Sequence, residues 1–171
     1  FLKPEALAET GVLLVHAVNP WGFSNYRRVT ENNVDLNRNA ATTGALYRTV
    51  NAGYPTVSPV INPAGPANTG ALGNVLFPLR AVGLIAQHGM PTLRQAVLQG
   101  QYQEPQGIYF GGQAMEPSLR RLAPYLLPIL AKYPLAMTVD LHTGYGERGT
   151  LHLFFDPPKD AARRVLGRVK K

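Results

Sequence analysis

The amino-acid sequence predicts an α/β fold, and three apolar runs lead to that expectation. Gly11 to Val18 is short, nearly unbroken and rich in aliphatic residues; Leu135 to Leu141 and Leu151 to Phe155 are similar. Runs of that length suit strands buried in a parallel or mixed sheet better than helices. Longer segments with helical periodicity lie between the first two, and strands alternating with helices indicate α/β architecture. In such sheets, sites collect at the carboxyl ends of strands.

Taken in order, the first run ends at Asn19-Pro20-Trp21-Gly22, a turn signal. Residues 24 to 41 are polar and without periodicity, which predicts a loop. Residues 53 to 69 hold Pro55, Pro59, Pro63 and Pro66 and read as a long irregular connection. Residues 70 to 88 and 91 to 100 read as helices, with Leu76, Leu79, Val82, Leu84 and Ile85 forming an apolar stripe. Glu116-Pro117-Ser118 marks another helix start, since proline is tolerated in a first turn. That helix is expected to reach about Tyr133, bent where Pro124 and Pro128 interrupt it. There is no internal repeat.

At 171 residues the chain suits one domain with its own core, spanning 1–171. No apolar run approaches the roughly 18 residues that a membrane span needs. There are no cysteines, so any metal must be held by His, Asp or Glu, and the compartment stays open. The net charge of +7 is mostly local: Lys159 to Lys171 holds six basic residues and one acid. Ala162, Val165, Leu166 and Val169 recur there at helical spacing, which predicts a solvated amphipathic helix. Neither a nucleic-acid nor a membrane partner is expected.

Two short segments can carry chemistry. Asn37 and Arg38 place a carboxamide beside a planar guanidinium, a pairing that grips a carboxylate. The same residues could instead knot their own loop through Asp35-Arg38 pairing and Asn side-chain turns. Arg27 and Arg28 bring further positive charge to this loop, or form an exposed pair. His142 falls just past the second predicted strand, where it could be a metal ligand or a hydrogen-bonded structural residue. Asp140 could orient its imidazole, and Thr143-Gly144 allow a sharp turn beside it.

Asn19-Pro20-x-Gly22-Phe23, then Arg27-Arg28, then Asn33-Val34-Asp35-Leu36-Asn37-Arg38-Asn39 resembles the zinc carboxypeptidase family. Its members carry an Asn-Pro-Asp-Gly turn, an arginine and a Gly-Val-Asp-x-Asn-Arg-Asn block; here Trp21 stands where the turn has Asp. Gly100-Gln101-Tyr102, Tyr109-Phe110-Gly111-Gly112 and Asp140-Leu141-His142-Thr143-Gly144 resemble an uncharacterised, mostly bacterial subgroup of that clan. The Asp-Leu-Asn-Arg core is also similar to aspartoacylase and succinylglutamate desuccinylase. The resemblance covers roughly residues 11 to 155. It implies a three-layer α/β/α sandwich with a mixed sheet, and one Zn2+ ion. It also implies hydrolysis of an amide bond next to a free carboxylate, in a peptide or an acyl amino acid. By the same resemblance His142 would be a zinc ligand, and Asn37 and Arg38 would hold the substrate carboxylate. Arg28, or in second place Arg27, would stabilise the oxyanion that forms when zinc-bound water attacks.

Two departures limit what the chain alone is expected to do. The family takes two zinc ligands from a His-x-x-Glu segment upstream, and the ten residues before Gly11 contain no His. Its general base, a late-strand glutamate, has no match, because Glu147 follows His142 by only five residues. His16, His88 and His152 are expected to be structural. The chain begins with Phe1, so an N-terminal ligand segment and a C-terminal catalytic strand are expected to be missing from it. By itself it is expected to be inactive, and a non-catalytic remnant that binds a carboxylate is the alternative.

Overall fold

Four of the five α-helices among the described residues carry proline in the first turn, where its missing N–H would have no helical partner anyway. They are α1 (Pro20–Asn25), α2 (Tyr54–Ile61), α4 (Met90–Leu98) and α5 (Pro117–Leu130), while α3 (Ala71–His88) starts without one. A computed structural model describes residues 10–41, 43–63, 65, 70–142 and 147–150. The chain divides into two compact units, within Phe1–Lys132 and within Tyr133–Lys171. All five helices belong to the first.

The α/β expectation is corrected by this structure. Among the described residues there is no strand and no sheet, only an isolated parallel bridge between Gln101 and Phe110. The runs at 11–18 and 135–141 are not buried strands: Leu14 and Leu141 are each 86% exposed. A strand persists only where a neighbour satisfies its backbone donors and acceptors. Apolar content alone does not supply that neighbour, and it was the basis of the prediction. Accordingly, the described residues do not form the expected three-layer α/β/α sandwich with a mixed sheet. The run at 151–155 and the basic helix expected after Lys159 lie outside the described residues.

The helices follow expectation more closely. α3, α4 and α5 fall on the three predicted segments, and α5 continues through both Pro124 and Pro128. α2 was hidden by its prolines. Pro55 is harmless in its first turn, and Pro59 sits inside it at the cost of a backbone hydrogen bond. What retains that helix is packing, because Tyr54 and Val57 are buried against Leu93 and Ala96 of α4. Ile61, Leu84, Ile85 and Val97 close around this small core. Helices α2 and α4 come so close that a Cβ on Gly53 would lie 2.9 Å from that of Ala96. Among the described residues, no helix is long and apolar enough to cross a membrane.

Side-chain amides do much of the remaining assembly. Asn51 donates from Nδ2 to the carbonyls of Ala96 and Gly100, both at 2.7 Å, and so satisfies the end of α4. Asn39, fully buried, donates to the carbonyls of Gly111 and Ala114 and accepts from the Glu116 N–H. Replacing it leaves three backbone groups without partners, and the two that are buried, the Gly111 carbonyl and the Glu116 N–H, are each worth ~1–3 kcal/mol. Asn39→Ala is therefore expected to lose about 3 kcal/mol or more of unfolding free energy, measurable as a lower urea midpoint with an unchanged slope.

Candidate functional site

The turn that opens the site is built by Asn19. Its Oδ1 accepts the Gly22 N–H at 2.9 Å and caps α1, while its Nδ2 donates to the Val29 carbonyl at 2.9 Å. A Cβ on Gly22 would collide with the Asn19 amide and stand 2.6 Å from the Arg27 carbonyl. The Asn-Pro-x-Gly turn thus folds the chain back on itself and fixes the strip that carries Arg28. Thr30 continues the job, its Oγ1 accepting from the N–H groups of Asn32 and Val34 at 3.3 Å each.

Asp35 is the centre, a carboxylate only 1% exposed. Its Oδ2 accepts from Arg38 Nη1 at 2.8 Å and from Arg28 Nε at 3.1 Å, while Oδ1 accepts the Asn37 N–H at 3.2 Å. The two guanidinium groups meet at one oxygen. They differ in what they have left to offer. Arg38 is 14% exposed, and its Nη2 donates to the Leu98 carbonyl at 2.7 Å. Its Nε is buried with no partner among the described residues. Arg28 is 57% exposed and, among the described residues, hydrogen-bonded through Nε only, so its outer edge faces solvent. Arg27 is exposed and does not join the cluster. Asn37 is also exposed, and its side-chain amide is uncommitted among the described residues. Two positive charges and one negative leave the cluster with a surplus of +1.

A second loop, residues 100–112, is shaped to receive this first one. Gly100, at φ +74°, lets Arg38 lie against the backbone, where a Cβ would stand 2.7 Å from its Cδ. Tyr102 donates its hydroxyl to the Arg38 carbonyl at 2.8 Å, and a Cβ on Gly111 would strike its ring. The Asp35 N–H donates to the Phe110 carbonyl at 2.8 Å, and Asn33 Nδ2 donates to the Pro105 and Gly107 carbonyls. Tyr109 lies under both arginines, with ring centroid to guanidinium carbon distances of 5.7 Å to Arg28 and 5.2 Å to Arg38. The two motifs are halves of one interlocked unit. Spacing had offered carboxylate grip and self-knotted loop as alternatives for Asn37-Arg38; the structure shows the knot, with one cation and one amide turned outward.

Three tyrosines brace the same region. Tyr47 donates to the Asn39 carbonyl at 2.7 Å, Tyr54 to that of Ile108 at 2.6 Å, and Tyr102 as above. Burial raises all three above the ordinary tyrosine value, helped by the Glu116 charge at Tyr47 and opposed by the Asn62 hydrogen bond at Tyr54 and the Arg38 charge at Tyr102.

His142 belongs to the second unit, and its Nε2 lies 2.7 Å from Asp140 Oδ2. That contact leaves Nδ1 as the free nitrogen, an arrangement in which a carboxylate orients an imidazole. The pair is exposed. Among the described residues no three His, Asp or Glu side chains come together in a way that could hold a metal ion. His142 with Asp140 amounts to one oriented donor. His16 is exposed and packs edge-on against Phe23 at 5.2 Å.

The family model described as "Protein of unknown function (DUF2817)" matches residues 2–168. The chain belongs to this family. DUF2817 stands within the zinc carboxypeptidase-like group. No curated protein and no solved structure matches the chain. The DUF2817 match spans both units and both interlocked motifs, including Tyr102 and Tyr109, to which the sequence alone assigned no role. Their place in the Gly100–Gly112 segment was the only signal available, because nothing in the spacing reveals a ring under two arginines.

Two outcomes follow from this geometry. Asp35→Asn is expected to lower stability by about 3 kcal/mol, since it strands a buried guanidinium. Arg28→Gln is expected to cost less than about 1 kcal/mol, because that pair is half in water; denaturant midpoints separate the two. The tyrosines predict alkaline lability. Their raised folded values mean stability is complete below the ordinary tyrosine value of about 10 and is lost as pH rises through the folded values. A spectrophotometric titration is expected to show these three tyrosines ionising at higher pH in the folded protein than in the urea-unfolded chain.

Proposed function

We propose that this chain supplies the substrate-carboxylate site of a zinc carboxypeptidase-like hydrolase that cleaves an amide bond next to a free carboxylate. Within that group, its motifs resemble the mostly bacterial carboxypeptidase-like subgroup. One observation carries the reading: the Arg28–Asp35–Arg38 cluster holds a surplus positive charge where the Asn37 amide and the outer edge of Arg28 meet solvent. A carboxylate matches that surface, because guanidinium and amide donors are both acceptor-seeking and a single surplus charge balances a single anion. A nucleic-acid backbone would call for several such charges.

In this reading Asn37 donates to the carboxylate with the charge of Arg38 behind it. Arg28 faces the carbonyl under attack, where a fixed cation stabilises developing negative charge. Anchoring on Asp35 is useful here, since a donor held before the reaction pays no reorganisation during it. His142, with Asp140 fixing its ring, is one zinc ligand. Zinc, when bound, lowers the pKa of its water. The described residues do not make a complete metal site, so the chemistry assigned to this chain is recognition and charge stabilisation.

The same grip would serve an N-acyl amino acid deacylase. The anchoring of Arg38 on Asp35 and Leu98 also suits a domain that binds a carboxylate without hydrolysis. Substrate pairs decide among these. The complete zinc-loaded protein is expected to hydrolyse an N-acylated dipeptide about 10- to 100-fold more efficiently than its C-terminal amide, the value of a lost charge-assisted hydrogen bond. Equal rates on acid and amide would overturn the carboxylate grip. Turnover of acyl amino acids alone identifies a deacylase, and carboxylate-dependent binding without turnover identifies the non-catalytic domain.

A further inference from the structure

Tyr109 has an unusual position and no assigned task. Its backbone sits at φ +59°, a left-handed conformation that is costly for a bulky side chain and is normally left to glycine or asparagine. The surrounding structure enforces it. The Tyr109 carbonyl accepts the Gln101 N–H at 3.1 Å, and the Gly111 N–H donates to the Gln101 carbonyl at 2.8 Å, which closes the bridge on either side of Phe110. Next door, the Ile108 carbonyl accepts from Tyr54 and its N–H donates to Asn62 Oδ1. A glycine here would satisfy the backbone without strain. The ring is therefore held at a backbone cost that its contacts offset.

What the ring touches is the two arginines. Both guanidinium carbons lie within the roughly 6 Å over which a cation is attracted to an aromatic face. Arg38 is already pinned by Asp35 and Leu98. Arg28 is not: one hydrogen bond through Nε leaves it free to pivot about that contact, and 57% of it is in water. The Tyr109 face is the second point of contact that removes this pivot. We propose that Tyr109 is a positioning residue, which holds the half-exposed Arg28 at a fixed angle to Arg38 so that its outer edge stays aimed at the acyl carbonyl of a ligand whose carboxylate is held beside it.

The inference rests on the carboxylate-binding reading above, so the test must separate the two. The probe is N-acetylglycine, titrated into wild-type, Arg28→Gln, Tyr109→Phe, Tyr109→Leu and Tyr109→Gly proteins. Affinity is followed by NMR, along with the exchange rate of the Arg28 Nε proton and the urea midpoint. Tyr109→Phe keeps the ring and is expected to bind as wild type does. Leu and Gly remove the ring and are expected to weaken binding about 5- to 10-fold and to speed exchange of the Arg28 Nε proton. Tyr109→Gly also relieves the φ constraint, so its urea midpoint should equal or exceed that of wild type while its affinity falls. Opposite movement of stability and affinity is a result that a merely structural tyrosine would not give. If Leu and Gly bind as wild type does, or if Gly loses stability together with affinity, the positioning role is wrong and the carboxylate site stands. If wild type does not bind the probe, the carboxylate reading fails and takes this inference with it; if Arg28→Gln binds it as tightly as wild type does, Arg28 makes no contact with the ligand, and the positioning role is wrong while the Asn37–Arg38 grip stands.

Discussion

A carboxylate excluded from water is the constraint around which this structure is arranged. Asp35 at 1% exposure would be prohibitively placed without partners, because an uncompensated buried charge costs several kcal/mol. It has two guanidinium groups and a backbone N–H. Each partner drags a piece of chain with it. Arg38 brings α4 through the Leu98 carbonyl, and Arg28 brings the Asn19 turn. The Asp35 backbone brings Phe110 and the second loop. Satisfying one charge therefore brings together segments about 75 residues apart in sequence.

The assembly between these segments is made by amides rather than by strand ladders. Asn19, Asn33, Asn39, Asn51 and Gln101 each bind backbone groups on neighbouring turns, and Asn39 and Gln101 are fully buried. An amide side chain has both donors and acceptor, so it can substitute for a missing stretch of backbone pairing. Such links are directional and short. They hold loops as firmly as a sheet would at these few points, and they demand room, which Gly100, Gly111 and Gly112 supply where Arg38, Tyr102 and Asn39 press against the backbone. The glycines of the second motif are thus spaces cut for side chains of the first.

How much of this could be read in the chain depends on the kind of signal. The helices were legible where periodicity and proline position agreed, as in α3, α4 and α5. The segment of α2 looked irregular because Pro55, Pro59 and Pro63 dominate it, and its burial of Tyr54 and Val57 is a tertiary effect that periodicity does not show. The strands were misjudged for the opposite reason: an apolar run reports a wish to be buried, but pairing depends on a neighbour that composition cannot name. At the site, the Asp35-Arg38 pairing was legible in the spacing as one of two alternatives, and the preference for Arg28 over Arg27 came from resemblance. The ring beneath the arginines and the inward turn of Arg38 were not legible, since each depends on which way a loop folds.

That inward turn changes what the motif means physically. A guanidinium spent on a buried carboxylate and a backbone carbonyl has little freedom left, which at first sight makes Arg38 a poor binding group. Its charge is not consumed by those contacts, however, because Asp35 cancels only one of the two cations it joins. The surplus is carried by whichever arginine remains in contact with water, and that is Arg28, backed by the Tyr109 face. Burying Arg38 in this way makes Arg28 dependable: the Asp35 oxygen it leans on is held in place by the stronger, drier pair. A site composed of loops thereby gains the preorganisation usually credited to rigid elements, with the anchoring pair inside and the working pair at the surface.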